Sequence, residues 1–437
     1  MGEPETEATH ALRVRQASLR QDFVKLTDRV FVATGYGMST FAFIVGDTGV
    51  LAVDAGSDPG PTAQALAELR RHSDLPLLGV VYTHGHIDHT HGAMAFVEDN
   101  PDLQIWAIKP FGTEGRWLAR NEARIAALRS AWHFGSFLPP ETFTNVGTPD
   151  PDSAKKAGLG AAPDPRIRPR RRFVGSATIR LGGIDLDVSH NPGETDDQIM
   201  AWLASERVAF AADNVYPSWP NLYAIRGTRY RDVRAWCESV DRLRALQADH
   251  LVLGHGRPIS GAEAVDEALS VYSRGLWHVY NATIEGMNAG RTPDELVHEV
   301  TLPEDLAGHR MLREFYGTVA WSVRSIFAGV LGWFDGNPTS LNQLHPADRA
   351  RRIAELCGGL GVLLEEARGA LAAGEAQWAA ELCDMLLALD FRRSEVEALK
   401  ADALDEIARH LLTSAGRNYL HTGAQELRRS AEQVTAG

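Results

Sequence analysis

Leu77-Leu78-Gly79-Val80-Val81-Tyr82-Thr83-His84-Gly85-His86-Ile87-Asp88-His89 is the stretch on which the reading of this chain turns. Its first half is apolar or small, and it reads as a buried strand. Three histidines and an aspartate then follow where the chain leaves that strand. Imidazole and carboxylate are suitable ligands for zinc. In a strand-to-helix loop His84 and His86 can point to one centre. Asp88 and His89, a turn later, can point to a second, so one short loop can serve two metals. Left without partners, partly buried imidazoles would each carry a desolvation cost. The loop therefore reads as a metal site and not as packing.

Working outward, the same punctuation recurs. VFVATG (30–35), FAFIVGD (41–47) and VLAVDAG (50–56) are short β-branched runs closed by Gly or Asp turns. A helical stretch at Pro61–Arg71 separates them from the 77–83 strand. Strands resume with ATIRLGGIDLDVSH (177–190), IMAWLA (199–204) and VAFAAD (208–213), and a helix over Asp232–Leu246 leads to HLVLGHG (250–256). This order predicts an α/β layered fold with chemistry at strand ends. Three of those ends offer further ligands: His190-Asn191-Pro192-Gly193-Glu194-Thr195, Ala212-Asp213-Asn214 and Gly254-His255-Gly256. Residues 112–136 are helical in composition. Residues 137–172, with Arg166, Arg168, Arg170, Arg171 and Arg172, read as a long irregular loop. Past residue 262 strand signals vanish and helical ones take over, in pairs similar to tetratricopeptide-like hairpins but without a firm period. The expected organisation is a polar lead-in over 1–25, an α/β domain over 26–262 and an all-α domain over 263–437.

Composition narrows the function. At about 150 residues per domain, 437 residues call for more than one domain. Lys plus Arg number 44 against 57 Asp plus Glu, a net charge of −13, which argues against a nucleic-acid partner. A small anionic substrate stays open, because metals or a few arginines reverse the local field. Cys237, Cys357 and Cys383 are too few and too scattered for a disulfide framework or a thiolate zinc site. No apolar run approaches the roughly 20 residues of a membrane span. The first residues lack the apolar core of a secretory signal, so the expected location is cytoplasmic.

Taken in order, the HxHxDH loop and the later strand ends resemble the metallo-β-lactamase superfamily, whose fold is an αββα sandwich. Most of that superfamily carries histidine after the later Pro-Gly, where this chain has Glu194. Asp213–Gly227 (DNVYPSWPNLYAIRG) resembles the alkyl sulfatases more narrowly. So do FGSFLPP (134–140), AGLG (157–160), YGTVAWSVRSIF (316–327), LGWFDGNP (331–338) and TGAQELR (422–428). The helical half is then similar to that family's dimerisation domain, which implies a homodimer.

The resemblance implies a site. One metal would be held by His84, His86 and Glu194, the other by Asp88, His89 and His255, with Asp213 bridging or completing the pair. Asp196 and Asp197 stand close enough in sequence to replace Glu194, which is preferred because it directly follows Pro-Gly. Asp54 would support the metal loop from behind. Two zinc ions are expected, with manganese or iron as alternatives. A water between them would have its pKa lowered toward neutrality and act as a bridging hydroxide nucleophile. Asp88 and Asp213 would be the catalytic carboxylates. Arg226, a planar fork suited to tetrahedral oxyanions, would bind the sulfate with Asn221 and Tyr223. Trp219, Phe134, Phe137 and Trp321 are candidates for the wall against the alkyl chain. The family would place a histidine between Gly317-Thr318 and Val323, where this chain has Trp321. His91 is expected to lie outside the ligand set. With no evident acid beside Arg226, attack on carbon, releasing sulfate, is preferred to S–O cleavage, which needs a general acid.

The competing readings are a hydrolase of another ester, lactone or thioester, and a non-catalytic metal-bound scaffold. A flavodiiron-type oxidoreductase would carry glutamate where this chain has Gly85.

Overall fold

The computed structural model describes residues 5–112, 123–144 and 167–436. Two mixed sheets face one another. The first contains β1 (Asp22–Lys25), β2 (Val30–Thr34), β3 (Phe41–Val45), β4 (Val50–Val53), β5 (Leu77–Val81), β6 (Gln104–Ile108) and β7 (Arg171–Phe173), neighbours in chain order. The second runs β13 (Ile259–Ser260), β12 (His250–Leu253), β11 (Val208–Ala212), β10 (Ile199–Leu203), β9 (Ile184–His190) and β8 (Ser176–Leu181).

Alternation explains the layering. Val30 and Val32 face the second sheet, while Phe31 and Ala33 face the opposite way. Across the gap Val208 and Phe210 point inward and Ala209 and Ala211 outward. Each such apolar side chain contributes roughly 1.5–3 kcal/mol by leaving water. Of the helices that precede β7, namely α1 (Glu7–Ser18), α2 (Pro59–Leu69), α3 (Ile87–Thr90), α4 (Ala93–Asp99) and α5 (Ala123–His133), α2 and α4 cover the first sheet's outer apolar face. Outside the second lies α6 (Val233–Ala245), capped by the Asp232 side chain. Its Val233, Trp236, Val240 and Leu243 are buried, the 3.6-residue stripe that a sheet-covering helix needs. The αββα sandwich is therefore the fold of this chain.

Parallel pairing fixes where chemistry collects. β4 and β5 run parallel, as do β11 and β12, and β9 runs antiparallel to β10, which runs antiparallel to β11. The C-terminal ends of β4, β5, β9, β11 and β12 consequently open on one edge of the sandwich.

Three stretches carry structure that the sequence reading did not mark. The lead-in is structured: β1 adds an edge strand to the first sheet, and Thr9 on α1 accepts from Arg417 at 2.7 Å. The arginine-rich stretch read as loop contains β7, which pairs parallel with β6, and Arg171 stacks 5.2 Å over the Trp106 ring. A strand of three residues rich in arginine carries no periodic apolar signal. Residues 145–166 of that loop reading, with Arg166 and AGLG (157–160), lie outside the described residues, as do 113–122 of the helical 112–136 stretch. Finally, α7 (Ala262–Asn288), α8 (Pro293–Glu299), α9 (Glu304–Ala307) and α10 (Val319–Leu331) share one core with α6 and the second sheet. Leu276, Val279 and Ile326 belong with Trp236 in that core, so the sandwich's outer layer continues past residue 262. The remaining helices, α11 (Pro346–Cys357), α12 (Leu360–Ala372), α13 (Ala376–Ala388), α14 (Arg393–His410) and α15 (Ser414–Ala436), have smaller cores of their own. Among the described residues no helix is long and apolar enough to cross a membrane.

Candidate metal centre

Asp54 leaves β4 with φ +60°, a left-handed conformation that costs a non-glycine residue about 1–3 kcal/mol. The strain places its carboxylate behind the metal loop. Oδ1 accepts from the Thr83 amide and Oδ2 from the Thr83 hydroxyl, both at 2.7 Å. Oδ2 also stands 2.7 Å from His89 Nδ1. Thr83 Oγ1 lies 3.0 Å from His84 Nδ1. With Nδ1 protonated on both rings, His84 and His89 turn their Nε2 atoms forward.

Forward of them the four strand ends meet. His84 Nε2 lies 2.9 Å from His86 Nδ1 and 3.7 Å from Glu194 Oε2, and His86 Nδ1 is 3.4 Å from the same oxygen. His89 Nε2 lies 3.6 Å from Asp88 Oδ2 and 3.1 Å from Asp213 Oδ1. His255, its Nδ1 tied to the Met38 carbonyl at 2.7 Å, sets Nε2 3.1 Å from Asp213 Oδ2 and 3.7 Å from Asp88 Oδ2. The donors form two groups, His84, His86, Glu194 and Asp213, and Asp88, His89, Asp213 and His255, with Asp213 in both. Gly254 permits this approach, because a Cβ there would collide with Asp213 Oδ1. Gly85 is equally constrained: its Cβ would fall 2.6 Å from Gly112 Cα, which leaves no room for glutamate.

The fit to cations can be judged from the atoms themselves. His89 Nε2, Glu194 Oε2 and Asp213 Oδ1 are buried and make no hydrogen bond. Buried polar atoms are otherwise almost always paired. Burial opposes charge on His89, yet the Asp213, Asp54 and Asp88 carboxylates hold its pKa well above the ordinary value. Burial likewise opposes His255, and Asp213 still raises it to about 9. Asp213 is held well below the carboxylate range against its own burial by His89 and His255. His84 is pushed well below by burial and then by the His89 and His86 rings. The cluster thus demands positive charge near Asp213, which cations supply on displacing protons. Imidazole and carboxylate donors of this kind fit zinc.

Asp196 and Asp197 are occupied elsewhere. Asp196 pairs with Arg229 at 2.9 Å, and Asp197 accepts from Thr195 at 2.7 Å and from the Gly112 amide at 2.6 Å. Glu194 alone of the three enters the cluster. His91 caps α3 outside both groups.

The expected sulfate residues belong to neither donor group. Asn221 is buried, and neither atom of its side-chain amide makes a hydrogen bond. Arg226 lies 5.7 Å over the Phe134 ring with Nη1 buried and unpaired. Tyr223 is half-buried and is not drawn into the cluster by any hydrogen bond among the described residues. Of the proposed apolar wall, Trp219 is core, its Nε1 donating to Ser322 at 3.0 Å, and Phe137 is exposed. Phe134 packs with Met38, and Trp321 is half-buried.

The metallo-beta-lactamase superfamily profile matches residues 34–255, and the alkyl sulfatase dimerisation profile matches 292–430. A linear primary-alkylsulfatase from a Pseudomonas strain is 35% identical over 87% of this chain and 72% of its own length. The chain belongs to the alkylsulfatase family of the metallo-beta-lactamase superfamily. A second Pseudomonas linear primary-alkylsulfatase is 27% identical across 99% of the chain, which spans 65% of that relative's length. The structure of a sec-alkyl sulfatase double mutant superposes with a TM-score of 0.85 at 25% identity, covering 98% of this chain and 69% of that one.

One residue of this alkylsulfatase-family site escaped the sequence reading. Arg231 is buried, and its Nη1 donates to Glu194 Oε1 at 2.6 Å and to the Asn221 carbonyl at 2.7 Å. It sits in GTRYRD, one arginine among neighbours, and only the invariably costly burial of a guanidinium marks it out. Asp54 offers a test of the support behind the loop. Asp54→Asn tolerates the left-handed backbone but cannot accept from both Thr83 and His89. Metal affinity, read by competition with a chromogenic chelator, should fall roughly 10- to 100-fold.

Proposed function

We propose that this chain is a sulfuric ester hydrolase that splits alkyl sulfates into alcohol and inorganic sulfate over a binuclear centre. The observation that carries the reading is the shared carboxylate: Asp213 belongs to both donor groups, which together draw on four strand ends. Sharing of this kind supports two cations working on one substrate, whereas a structural site is closed by four ligands. The family relationship supports the substrate class, since the relatives above are described as alkylsulfatases.

Two cations held by His84, His86, Glu194, Asp88, His89, His255 and Asp213 would supply a water activated at neutral pH. Asp88 and Asp213 take the hydrogen-bonding and charge-balancing role beside it. Arg226 and Asn221 hold the sulfate oxygens, and the planar guanidinium suits a tetrahedral anion. In the preferred direction the water oxygen bonds to carbon. The C–O bond breaks, its electron pair leaves with sulfate, and the water's proton is released. Sulfate departs with its charge spread over oxygens, so Arg226 stabilises the transition state more than the ester. Zinc suits the donors best, with manganese and iron as the alternatives that elemental analysis separates. Homodimer formation through the helical region is supported by its dimerisation profile and by exposed apolar side chains there, Trp333 at 78% and Leu356 at 88%.

Sulfate release from dodecyl sulfate tests the reading. Purified protein should liberate sulfate, lose the activity on chelation and regain it with added zinc. Hydrolysis in oxygen-18 water should label the alcohol; label in the sulfate would reverse the assigned bond. Turnover of a lactone or glutathione thioester without sulfate release would assign another hydrolase, and a metal-loaded protein inert to all of them would be a scaffold.

A further inference from the structure

His133, at the end of α5, is 1% exposed and belongs to neither metal group. Its Nε2 lies 3.3 Å from the Tyr316 hydroxyl, and its ring meets those of Phe134 and Tyr316 edge-on at 4.7 and 5.6 Å. Asn418 of α15 donates to its backbone carbonyl at 3.3 Å. The Tyr316 ring in turn stands 6.1 Å from Tyr216, whose own ring is 5.9 Å from His255. A continuous aromatic path therefore joins His133 to the metal centre.

The polar atoms along this path are incompletely used. His133 Nδ1, Arg226 Nη1 and both atoms of the Asn221 side-chain amide are buried without a hydrogen bond. Arg226, stacked on Phe134, makes no ion pair among the described residues. Arg226 and Arg231 are both near enough to act on the charge of His133 and of Tyr316. Unpaired buried groups are few in any protein, and here α5 and the 213–227 loop each contribute to the omission, through His133 and through Asn221 and Arg226. The group that would satisfy them together offers several acceptor oxygens and negative charge. Burial, followed by the two arginines, keeps the His133 imidazole neutral, with one N–H and one acceptor nitrogen.

We propose that His133 and Tyr316 complete the oxyanion pocket: the Tyr316 hydroxyl donates to His133 Nε2, and His133 Nδ1–H, beside Arg226, donates to a sulfate oxygen of the substrate. His133 is then a substrate-binding residue and Tyr316 a positioning residue. The assignment rests on the sulfate-ester reading above and deepens it. It also gives the site an imidazole from α5, while Trp321, in the stretch where histidine was expected, packs its ring against Gly416.

The two nitrogens can be separated by isosteres. In His133→Asn the amide NH2 takes the place of Nδ1–H; in His133→Gln it reaches the place of Nε2 and the Nδ1 donor is lost. Binding of octanesulfonate, which keeps the charged head but cannot be hydrolysed, is measured by calorimetry on the metal-loaded full chain. The Asn variant should bind within about 3-fold of wild type and the Gln variant roughly 10- to 100-fold more weakly, the loss of one hydrogen bond to a charged group. Metal content should be unchanged in both. Equal behaviour of the two variants, or a wild-type protein that binds no sulfonate, overturns the proposal. Should either variant not fold, Tyr316→Phe carries the test: sulfonate affinity should fall about 3- to 10-fold, and an unchanged value is fatal. Sulfate release by wild type, measured in parallel, separates the two failures. No release sinks the alkylsulfatase reading, whereas release with Asn and Gln variants alike sinks only the role of His133.

Discussion

Replacing Asp213 with asparagine should strip the centre of at least one cation and lower kcat/KM roughly 10³-fold or more, a loss of about 4 kcal/mol in transition-state stabilisation. The size of the effect follows from position. Asp213 is 3% exposed, and its two oxygens serve opposite sides. Oδ1 faces His89 Nε2 and Oδ2 faces His255 Nε2, both at 3.1 Å, while His84 Nε2 is 3.9 Å from Oδ2. An asparagine keeps the shape but loses the negative charge and turns an N–H2 toward one of the two groups. No neighbouring carboxylate is placed to serve both groups, since Asp54 is committed to Thr83 and His89, Glu194 belongs to the first group only and Asp88 to the second only. Elemental analysis of variant and wild type, purified alike, provides the check. Full metal content with wild-type turnover would mean that the shared carboxylate bridges nothing. His84→Ala is the useful comparison, because His84 belongs to the first donor group only, and its loss should leave the second group able to bind.

Much of this was legible in the chain because strands that end on ligands carry two signals at once. In 77–89 an apolar run states where the strand stops, and histidines state what happens next. Glu194, Asp213 and His255 were legible for the same reason, each one or a few residues past a buried strand. The parallel pairs β4–β5 and β11–β12 then carry those ends to one edge, a consequence of topology that follows from helices placed between strands. What stayed hidden came from elements with no such punctuation. Arg231 lies in a loop, and nothing in GTRYRD separates an arginine bound to Glu194 from Arg229, which is exposed. His133 and Tyr316 lie 183 residues apart, on α5 and ahead of α10, and only packing of the helical layers on the sandwich unites them. The packing of the first helices past residue 262 was hidden in the same way. An amphipathic helix such as α7 looks the same whether its stripe meets other helices or the back of a sheet, so helical composition alone could not show that α7 and α10 finish the second sheet's core.

Arg231 yields the second large effect, and it separates stability from chemistry. Its guanidinium is buried at 3% exposure beside the buried Glu194, and the short contact to Oε1 leaves Oε2 for the first metal group. Arg231→Met keeps the volume and removes the charge, leaving a carboxylate oxygen of Glu194 and the Asn221 carbonyl without their donor. Breaking a buried ion pair on one side costs about 3–5 kcal/mol, because the remaining charge has lost both water and partner. The denaturation midpoint of the metal-free chain should drop accordingly. Adding Glu194→Gln to Arg231→Met removes the stranded charge, so the double variant should recover a large part of that stability while its first metal group remains short of a ligand. A purely structural pair would recover stability and metal content together, whereas a pair that aims Glu194 at a cation recovers only the first. Arg231→Lys should fall between, since an ammonium supplies the charge but not the planar fork that here spans Glu194 and Asn221 at once. If the single Met variant unfolds no earlier than wild type and still binds its full complement of metal, the buried pair neither holds the Asp213–Arg231 loop to the sandwich nor orients Glu194.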